Sequence, residues 1–181
     1  NTYIIAEDGE TFYIIDQHAA HERVLYERLL RRYYNKSGEM SQYLVVPEII
    51  ELSYAEMNLV EENIELLANV GFILETFGNN SIKISAVPFI YGTQNLKELF
   101  ICMVDILTSE KNIEYHKLNE KILYRIACRT AVKAQKKMDE LEARQIINEL
   151  EEIENPFTCP HGRPIAVRLN KKELEKMFGR N

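Results

Sequence analysis

Residues 16–27 read DQHAAHERVLYE, and at this stretch a β-rich run gives way to a helical pattern. Residues four apart on a helix share one face, so His18 and Glu22 present an imidazole and a carboxylate together. Divalent transition metals bind both groups. Taken alone, the same two residues also fit the solvated start of a helix.

A second set of potential ligands lies far downstream, where residues 159–164 read CPHGRP. Here Cys159 and His161 offer a thiolate and an imidazole two residues apart, which again suit a transition metal. A buried inert cysteine seldom lies in so polar a loop, although His161 next to Gly162 also fits an ordinary turn. Two half-sites in one chain predict a metal site that the fold assembles.

The composition allows a packed core, since 46% of the 181 residues are hydrophobic and a chain of this length forms one domain or two small ones. No apolar run reaches the roughly 18 residues of a membrane span, and no signal peptide opens the sequence. Three cysteines without secretory features indicate a reducing compartment. We therefore expect a cytoplasmic piece of a longer protein, cut at a linker before Asn1-Thr2-Tyr3.

The net charge of −6 argues against a strong DNA-binding surface, because contacts with phosphates supply most non-specific affinity for DNA. If the chain acts on DNA, a partner must bring the chain to the DNA. The charge therefore predicts partners rather than excluding a nucleic-acid function.

The pattern of apolar residues and turns predicts a mixed α and β chain. Asp8-Gly9 separates two β-rich runs, as in a hairpin. Ser53 with Glu56, and Asn170 with Glu173, have the spacing of a capping box that opens a helix. The predicted strands are 2–6, 11–15, 43–52, 72–77, 81–87 and 164–169, and the predicted helices are 17–34, 54–70, 95–107, 119–137, 142–152 and 171–178.

Three motifs in the same order resemble the C-terminal domain of the MutL mismatch-repair proteins that carry a nicking endonuclease. The family's first motif is Asp-Gln-His-Ala, two residues, Glu, four residues and Glu, and residues 16–27 match it without departure. Its second motif, Ala-Cys-Arg, is found at 127–129, and its third, Cys-Pro-His-Gly-Arg-Pro, at 159–164. Because the motifs extend over nearly the whole chain, chance is a poor explanation.

The resemblance implies an α+β fold in which both ends of the chain form a dimerisation subdomain. This subdomain, 1–35 plus 119–181, would carry the metal and endonuclease motifs, and 40–118 would form an inserted α/β outer, regulatory lobe. The resemblance also implies a homodimer. Because ATP binding belongs to the family's N-terminal region, it implies no ATP site in this chain.

The resemblance further implies five metal ligands: His18, Glu22, Cys128, Cys159 and His161. That set suffices for two ions if Glu22 bridges them, with Zn²⁺ in a structural or regulatory role and Mn²⁺ or Mg²⁺ in catalysis. Asp16 is implied as a catalytic residue beside Glu22, either as an outer ligand or as the group that orients a water. Alone, Cys128 in its apolar helix is better interpreted as a small core residue.

Three further residues are expected beside the ligands. Glu27 lies five residues beyond Glu22, about 140° further around an ideal helix, so we expect it to hold a basic group rather than a metal. Arg129 and Arg163 bind carboxylates or phosphates through a bidentate fork. For these two arginines, an ion pair with Asp16 or Glu27 and a contact with DNA stay open alternatives.

Residues 42–47, QYLVVP, resemble the sliding-clamp-binding motif of the bacterial family, with Gln42, Val45 and Pro47 at its defining positions. Val45 stands where Leu or Ile is usual, and an ordinary strand entering a proline bend is the alternative interpretation. An extended segment of this kind fills a groove on a partner. A ring around DNA would then supply the affinity for DNA that an acidic chain lacks.

The resulting hypothesis is a metal-dependent endonuclease that hydrolyses a phosphodiester bond in duplex DNA during mismatch repair, and binds DNA weakly without reading its sequence. Its partners are the replication sliding clamp and, through the full-length protein, the mismatch-recognition protein, at the bacterial nucleoid. The alternative is a dimerisation and interaction module whose zinc is structural or regulatory. An unrelated zinc hydrolase is disfavoured, since the sequence has no His-Glu-x-x-His motif or glycine-rich phosphate loop.

Overall fold

The computed structural model describes residues 3–35, 40–89, 95–110, 114–133, 138–159 and 162–180. Its helices and two three-stranded antiparallel sheets confirm the predicted α+β class. The strands are β1 (Tyr3–Asp8), β2 (Thr11–Asp16), β3 (Ser41–Glu51), β4 (Ile73–Thr76), β5 (Ser81–Pro88) and β6 (Ala166–Asn170). The helices are α1 (Gln17–Asn35), α2 (Tyr54–Glu62), α3 (Ile64–Asn69), α4 (Leu96–Ser109), α5 (Tyr115–Lys133), α6 (Glu140–Glu151) and α7 (Lys171–Met177). No helix within these ranges is long and apolar enough to cross a membrane.

The chain divides into two compact units, a first unit of Asn1–Glu27 with Ala134–Asn181 and a second unit of Arg28–Lys133. The sequence predicted subdomains at 1–35 plus 119–181 and at 40–118, whereas the two compact units divide within α1, after Glu27, and at the end of α5, after Lys133. The last turns of α1 bind the early turns of α5: Asn119 Nδ2 donates a 2.8 Å hydrogen bond to the hydroxyl of Tyr33. Residues 28–35 and 119–133 both belong to the second unit.

In the first unit the strand order is β1-β2-β6, and one face of the sheet lies on a hydrophobic core. β1 and β2 form the predicted hairpin, in which Asp8 pairs with Thr11. Gly9 has a φ of +61°, a left-handed conformation that glycine adopts without steric cost. The buried residues of this core are Ile15, Ala20, Val24, Ile146, Leu150, Ile153, Cys159 and Ile165. The core therefore fixes the start of α1 against the sheet.

In the second unit the strand order is β3-β5-β4. Phe72 and Phe100 are fully buried there and meet edge to face, with ring centroids 5.8 Å apart. Gly71 precedes Phe72 with a φ of +105°, and a Cβ atom on it would lie 2.3 Å from the carbonyl oxygen of Met40. Only glycine fits at this close approach of two backbones.

The helix predicted at 54–70 is two helices, α2 and α3, with Asn63 between them. Asn63 has a φ of −116° and a ψ of 19°, and its Nδ2 donates a 2.8 Å hydrogen bond to the carbonyl of Leu59. An asparagine side chain that binds nearby backbone competes with helical hydrogen bonding. The prediction of one continuous helix was wrong for this reason.

Candidate metal centre

Asp16 ends β2 and opens α1. Its backbone N–H donates a 2.8 Å hydrogen bond to the carbonyl of Ile165, while its Oδ1 accepts hydrogen bonds from the N–H groups of His18, at 2.9 Å, and Ala19, at 3.0 Å. A side-chain oxygen at this position satisfies amides that the first turn of a helix leaves without partners. Asp16 therefore fixes where α1 begins, and with it the positions of the residues one turn later.

His18 and Glu22 are brought together on α1, as their spacing predicts. Nε2 of His18 lies 3.2 Å from Oε1 of Glu22, with the imidazole 39% and the carboxylate 5% exposed. Oε2 of Glu22 is buried and has no hydrogen-bond partner among the described residues. A buried carboxylate oxygen without a partner is costly. The oxygen thus fits a position that a cation would complete, and this is the observation on which a metal site can be tested.

Glu27 contacts Arg23 rather than the His18–Glu22 pair. Nη2 of Arg23 lies 2.7 Å from Oε1 of Glu27, and both side chains are largely buried. The basic group expected beside Glu27 is therefore Arg23, one turn earlier on the same helix. Arg23 was not predicted from the sequence, although a separation of four residues signals such a pair.

Cys159 lies in a tight loop between α6 and β6. Thr158 and Pro164 form an isolated antiparallel bridge, Cys159 N–H donates to the carbonyl of Arg163, and Gly162 N–H donates to the carbonyl of Cys159, both at 2.8 Å. The Cys159 side chain is only 3% exposed and packs with Ala20 and Val24 of α1. The loop is polar in sequence, yet its cysteine is buried. Pro160 and His161 lie outside the described residues.

The described residues alone do not complete a metal site. No group of three or more His, Cys, Asp and Glu side chains within the described ranges is placed to hold an ion. The predicted ligand set, which also includes His161, stays a prediction.

Cys128 and Arg129 lie on α5, in the second unit. Cys128 is half-buried, and its predicted role as a ligand is untested by this arrangement. Nη1 of Arg129 lies 3.8 Å from Oε2 of Glu98, and both side chains are well exposed. The alternatives predicted for Arg129 were an ion pair with Asp16 or Glu27 and a contact with DNA, and neither included Glu98. Arg163 is exposed, and its carbonyl accepts the hydrogen bond from Cys159 described above.

Gln42, Val45 and Pro47 lie on β3, an edge strand of its three-stranded sheet, and all three are exposed. Pairing with β5 shifts register between Tyr43 and Glu48, so that residues 44–47 stand opposite one residue of β5. A bulge of this kind breaks the regular ladder. Val45 is fully exposed, at 102% of its reference area. The segment therefore offers its side chains to solvent rather than to the sheet.

Comparisons with known proteins add the family. The chain matches the MutL C terminal dimerisation domain over residues 1–138. It is 41% identical over 180 residues to the DNA mismatch repair protein MutL of Caldanaerobacter subterraneus subsp. tengcongensis, and 42% identical over 180 residues to the protein of the same name from Clostridium botulinum strain Kyoto. Each match covers 99% of this chain but only 30% and 27%, respectively, of the relative. The chain thus spans less than a third of the length of these curated relatives.

Proposed function

The chain belongs to the family of MutL C-terminal dimerisation domains, and from this we propose that it is a metal-dependent endonuclease domain that nicks duplex DNA in mismatch repair. One observation carries the proposal. The carboxylate of Glu22 is buried beside His18, and one of its oxygens has no partner in the described parts of the chain. A cation is the partner that a buried anionic oxygen most needs.

The donor chemistry of the predicted site fits a divalent ion. His18, Glu22, Cys159 and His161 would hold it, since imidazole, carboxylate and thiolate suit Zn²⁺, while carboxylate oxygens also suit Mn²⁺ or Mg²⁺. Cys128 stays a predicted ligand. A bound divalent ion supplies Lewis acidity, which activates water near neutral pH and stabilises negative charge on a phosphate.

Asp16 has the second role at this site. Two backbone amides hold its Oδ1, so the orientation of the carboxylate is set by the start of α1. The other oxygen is not needed for the cap and would accept a proton from an attacking water. Capping and proton transfer are thus compatible in one carboxylate.

In this proposal, partner proteins bring the domain to the DNA. A net charge of −6 gives the chain little attraction for phosphates, so we expect weak DNA binding by the domain alone. Gln42, Val45 and Pro47, on an exposed edge strand, would dock into a groove of the replication sliding clamp. The mismatch-recognition protein would act through the full-length protein, which works as a homodimer in the cytoplasm, at the nucleoid during repair.

A plasmid-nicking assay tests the proposed reaction. The full-length protein is supplied with Zn²⁺ and Mn²⁺ and with clamp loaded on supercoiled DNA, because the domain alone is expected to bind DNA too weakly. We expect Glu22→Gln to lower the nicking rate by roughly 100-fold or more. Glu114→Gln is the matched control, since Oε2 of Glu114 lies 3.8 Å from Nε2 of His116 in an exposed pair. This control variant should nick like wild type. Equal nicking by Glu22→Gln and wild type would contradict the proposal.

A binding measurement tests the clamp contact separately. The double variant Gln42→Ala with Val45→Ala should bind immobilised sliding clamp roughly tenfold more weakly or worse, because it loses an anchoring side chain and a hydrogen-bonding amide. Tyr54→Ala, which truncates another exposed side chain of the second unit, is the control. Unchanged clamp affinity in the double variant would rule out this segment as the tether.

The alternative function is a dimerisation and interaction module with a structural zinc. It is favoured by the burial of Cys159 in the first core, because a closed, buried site is typical of structural zinc. A structural site holds one inert ion, whereas the nuclease needs an open position. A measured stoichiometry of one inert ion, with no second, exchangeable ion, would therefore favour this alternative.

A further inference from the structure

Residues 163–180, which we call the cationic segment, have a charge opposite to that of the chain as a whole. Six of these eighteen residues are Lys or Arg and two are Glu, whereas the whole chain has a net charge of −6. The cationic segment begins at the end of the loop that contains Cys159 and includes β6 and α7. A positive stretch within an acidic chain is typical of a surface that binds an anion.

Five cations of this segment form no ion pair with any residue that the structure describes. All five are exposed to solvent: Arg168, Lys171, Lys172, Lys176 and Arg180. Of the two acids in the segment, Glu173 is engaged in the cap of α7, where it accepts a 2.9 Å hydrogen bond from the N–H of Asn170. The charge of the five cations is therefore available to an anion from outside the chain.

Backbone hydrogen bonds fix both ends of α7. The N–H of Lys171 donates a 2.9 Å hydrogen bond to the carbonyl of Glu10, in the turn between β1 and β2. At the other end, Gly179 has a φ of +68° and the N–H of Arg180 donates a 2.9 Å hydrogen bond to the carbonyl of Glu175. This is the Schellman arrangement of a helix end. The backbone that carries the cations is therefore ordered before an anion binds, which lowers the cost of binding.

The cationic segment follows directly on the loop that carries two predicted ligands, Cys159 and His161. Arg168 is four residues beyond Pro164, the last residue of that loop, and thus at most about 13 Å away along an extended chain. This distance corresponds to roughly four nucleotide steps of duplex DNA at about 3.4 Å each. A cation at this distance would meet a phosphate close to the bond that a metal ion in the loop attacks.

We propose that four cations of this segment bind phosphates of duplex DNA beside the nicked bond: Arg168, Lys172, Lys176 and Arg180. Lys172 and Lys176 are one helical turn apart and share a face of α7. Lys171 is left out of the set because its backbone is bound at the acidic turn that contains Asp8 and Glu10. The inference rests on the proposed endonuclease function and adds the residues that would hold its substrate.

An acidic protein is the other class of partner that this surface could bind. Met177 and Phe178, beside the cations, are 73% and 75% exposed, and an acidic peptide with apolar side chains would match them. The distribution of the charges favours DNA, because the cations extend from β6 to beyond the end of α7. The two apolar side chains occupy only the end of that helix. Phosphate contacts are also independent of sequence, as the proposed reaction requires.

The first test measures binding of the full-length protein to a mismatch-free duplex by fluorescence anisotropy, in chelator and without clamp. The triple variant Lys172→Gln, Lys176→Gln, Arg180→Gln is compared with wild type between about 50 and 200 mM salt. We expect a loss of affinity of roughly tenfold or more at the lower salt concentration. The slope of log K against log salt should become shallower by roughly 2 to 3, because each phosphate contact contributes about 0.9.

The control is the triple variant Lys117→Gln, Lys121→Gln, Arg144→Gln. It changes the net charge by the same amount, but each of its cations already lies 2.6 to 2.9 Å from a carboxylate. This variant should keep most of the affinity and of the salt dependence. Equal losses in the two triple variants would show an effect of net charge alone and would overturn the proposal, as would wild-type binding by both.

A charge-conserving variant separates charge from local structure. Lys172→Arg with Lys176→Arg should bind DNA like wild type, and a loss as large as that of the glutamine variant would overturn the proposal. Unchanged DNA binding by the glutamine variant, with weaker binding to immobilised clamp, would indicate a protein partner and would also overturn it. Binding in chelator requires neither metal nor cleavage, so failure of this inference is distinguishable from failure of the endonuclease proposal, which the nicking rate of Glu22→Gln tests.

Discussion

Nε2 of His18 lies 3.2 Å from Oε1 of Glu22, one turn further along α1, while the second carboxylate oxygen of Glu22 is buried without a partner in the described residues. A purely structural His–Glu pair gains little from burying an oxygen that nothing satisfies. A pair of metal ligands explains the burial, because a bound ion would be the missing partner of the second carboxylate oxygen of Glu22.

Replacing Glu22 by methionine separates a ligand from a structural residue. In metal-free protein we expect Glu22→Met to have the free energy of unfolding of wild type or about 1–2 kcal/mol more, since it removes an unsatisfied buried oxygen. The imidazole of His18 is 39% exposed in the wild-type structure, so water can hydrate it when the carboxylate is removed. Excess zinc should stabilise wild type by mass action and leave the variant unchanged. Urea unfolding followed by circular dichroism measures both, and a large loss of stability in chelator would show that Glu22 is held by the protein itself.

Asp16 can be tested for a role beyond its cap. Asparagine keeps the acceptor oxygen, so Asp16→Asn should unfold within about 0.5 kcal/mol of wild type, whereas Asp16→Ala should lose about 1 kcal/mol. Both should lose nicking if the carboxylate also orients water. Thermal unfolding and the plasmid assay give the two readouts. Normal nicking by Asp16→Asn would reduce Asp16 to a helix cap.

Much of the local structure follows from the sequence, because short-range chemistry determines it. Asp8-Gly9 predicted the hairpin of β1 and β2, and Ser53 with Glu56 predicted the capping box that opens α2. The same spacing at Asn170 and Glu173 opens α7. His18 and Glu22 met because one helical turn joins them. In each case the partners are four or fewer residues apart.

The rest depends on contacts that no local pattern contains. Tyr33 and Asn119 are 86 residues apart, and their hydrogen bond joins α1 to α5 within the second unit. Cys159 is buried because α1 packs over its loop, which the polar neighbours of the cysteine do not reveal. The bulge in β3 likewise arises from pairing with β5 and not from the alternation of β3 itself.

Gly71 should be the least replaceable glycine that the structure describes. A methyl group there meets the carbonyl of Met40 at 2.3 Å and forces a φ of +105° on alanine. We expect Gly71→Ala to cost more than roughly 2 kcal/mol of unfolding free energy. Gly78→Ala, at a φ of +72° with open space around it, should cost about 1 kcal/mol from backbone strain alone. Equal costs in urea unfolding would contradict the close approach of the two backbones.

The cap of α2 should weaken in acid. The hydroxyl and N–H of Ser53 donate hydrogen bonds of 2.6 and 2.7 Å to Glu56, and they lower its pKa below the ordinary 4.5. A lowered pKa stabilises the fold above the unfolded value, and that contribution is lost as the pH falls through the folded pKa. Ser53→Ala should therefore cost about 1 kcal/mol near neutral pH and less in acid.

Stability at both pH values, measured by urea unfolding, checks this prediction. Ser109→Ala is the control, because among the described residues the hydroxyl of Ser109 binds only backbone carbonyls of its own helix, and its cost should not change with pH. A cost of Ser53→Ala that stays constant from neutral pH into acid would show that ionised Glu56 takes no part in the cap.

The metal content of the purified protein tests the central claim most directly. Elemental analysis after equilibration with zinc and then with manganese compares wild type, Glu22→Gln, Cys159→Ser and the control Glu114→Gln. We predict tightly held zinc and a further, exchangeable ion in wild type and in Glu114→Gln, with both weakened in Glu22→Gln and Cys159→Ser. The same metal content in Glu22→Gln as in wild type, or no metal in either, would contradict the claim that Glu22 is a ligand.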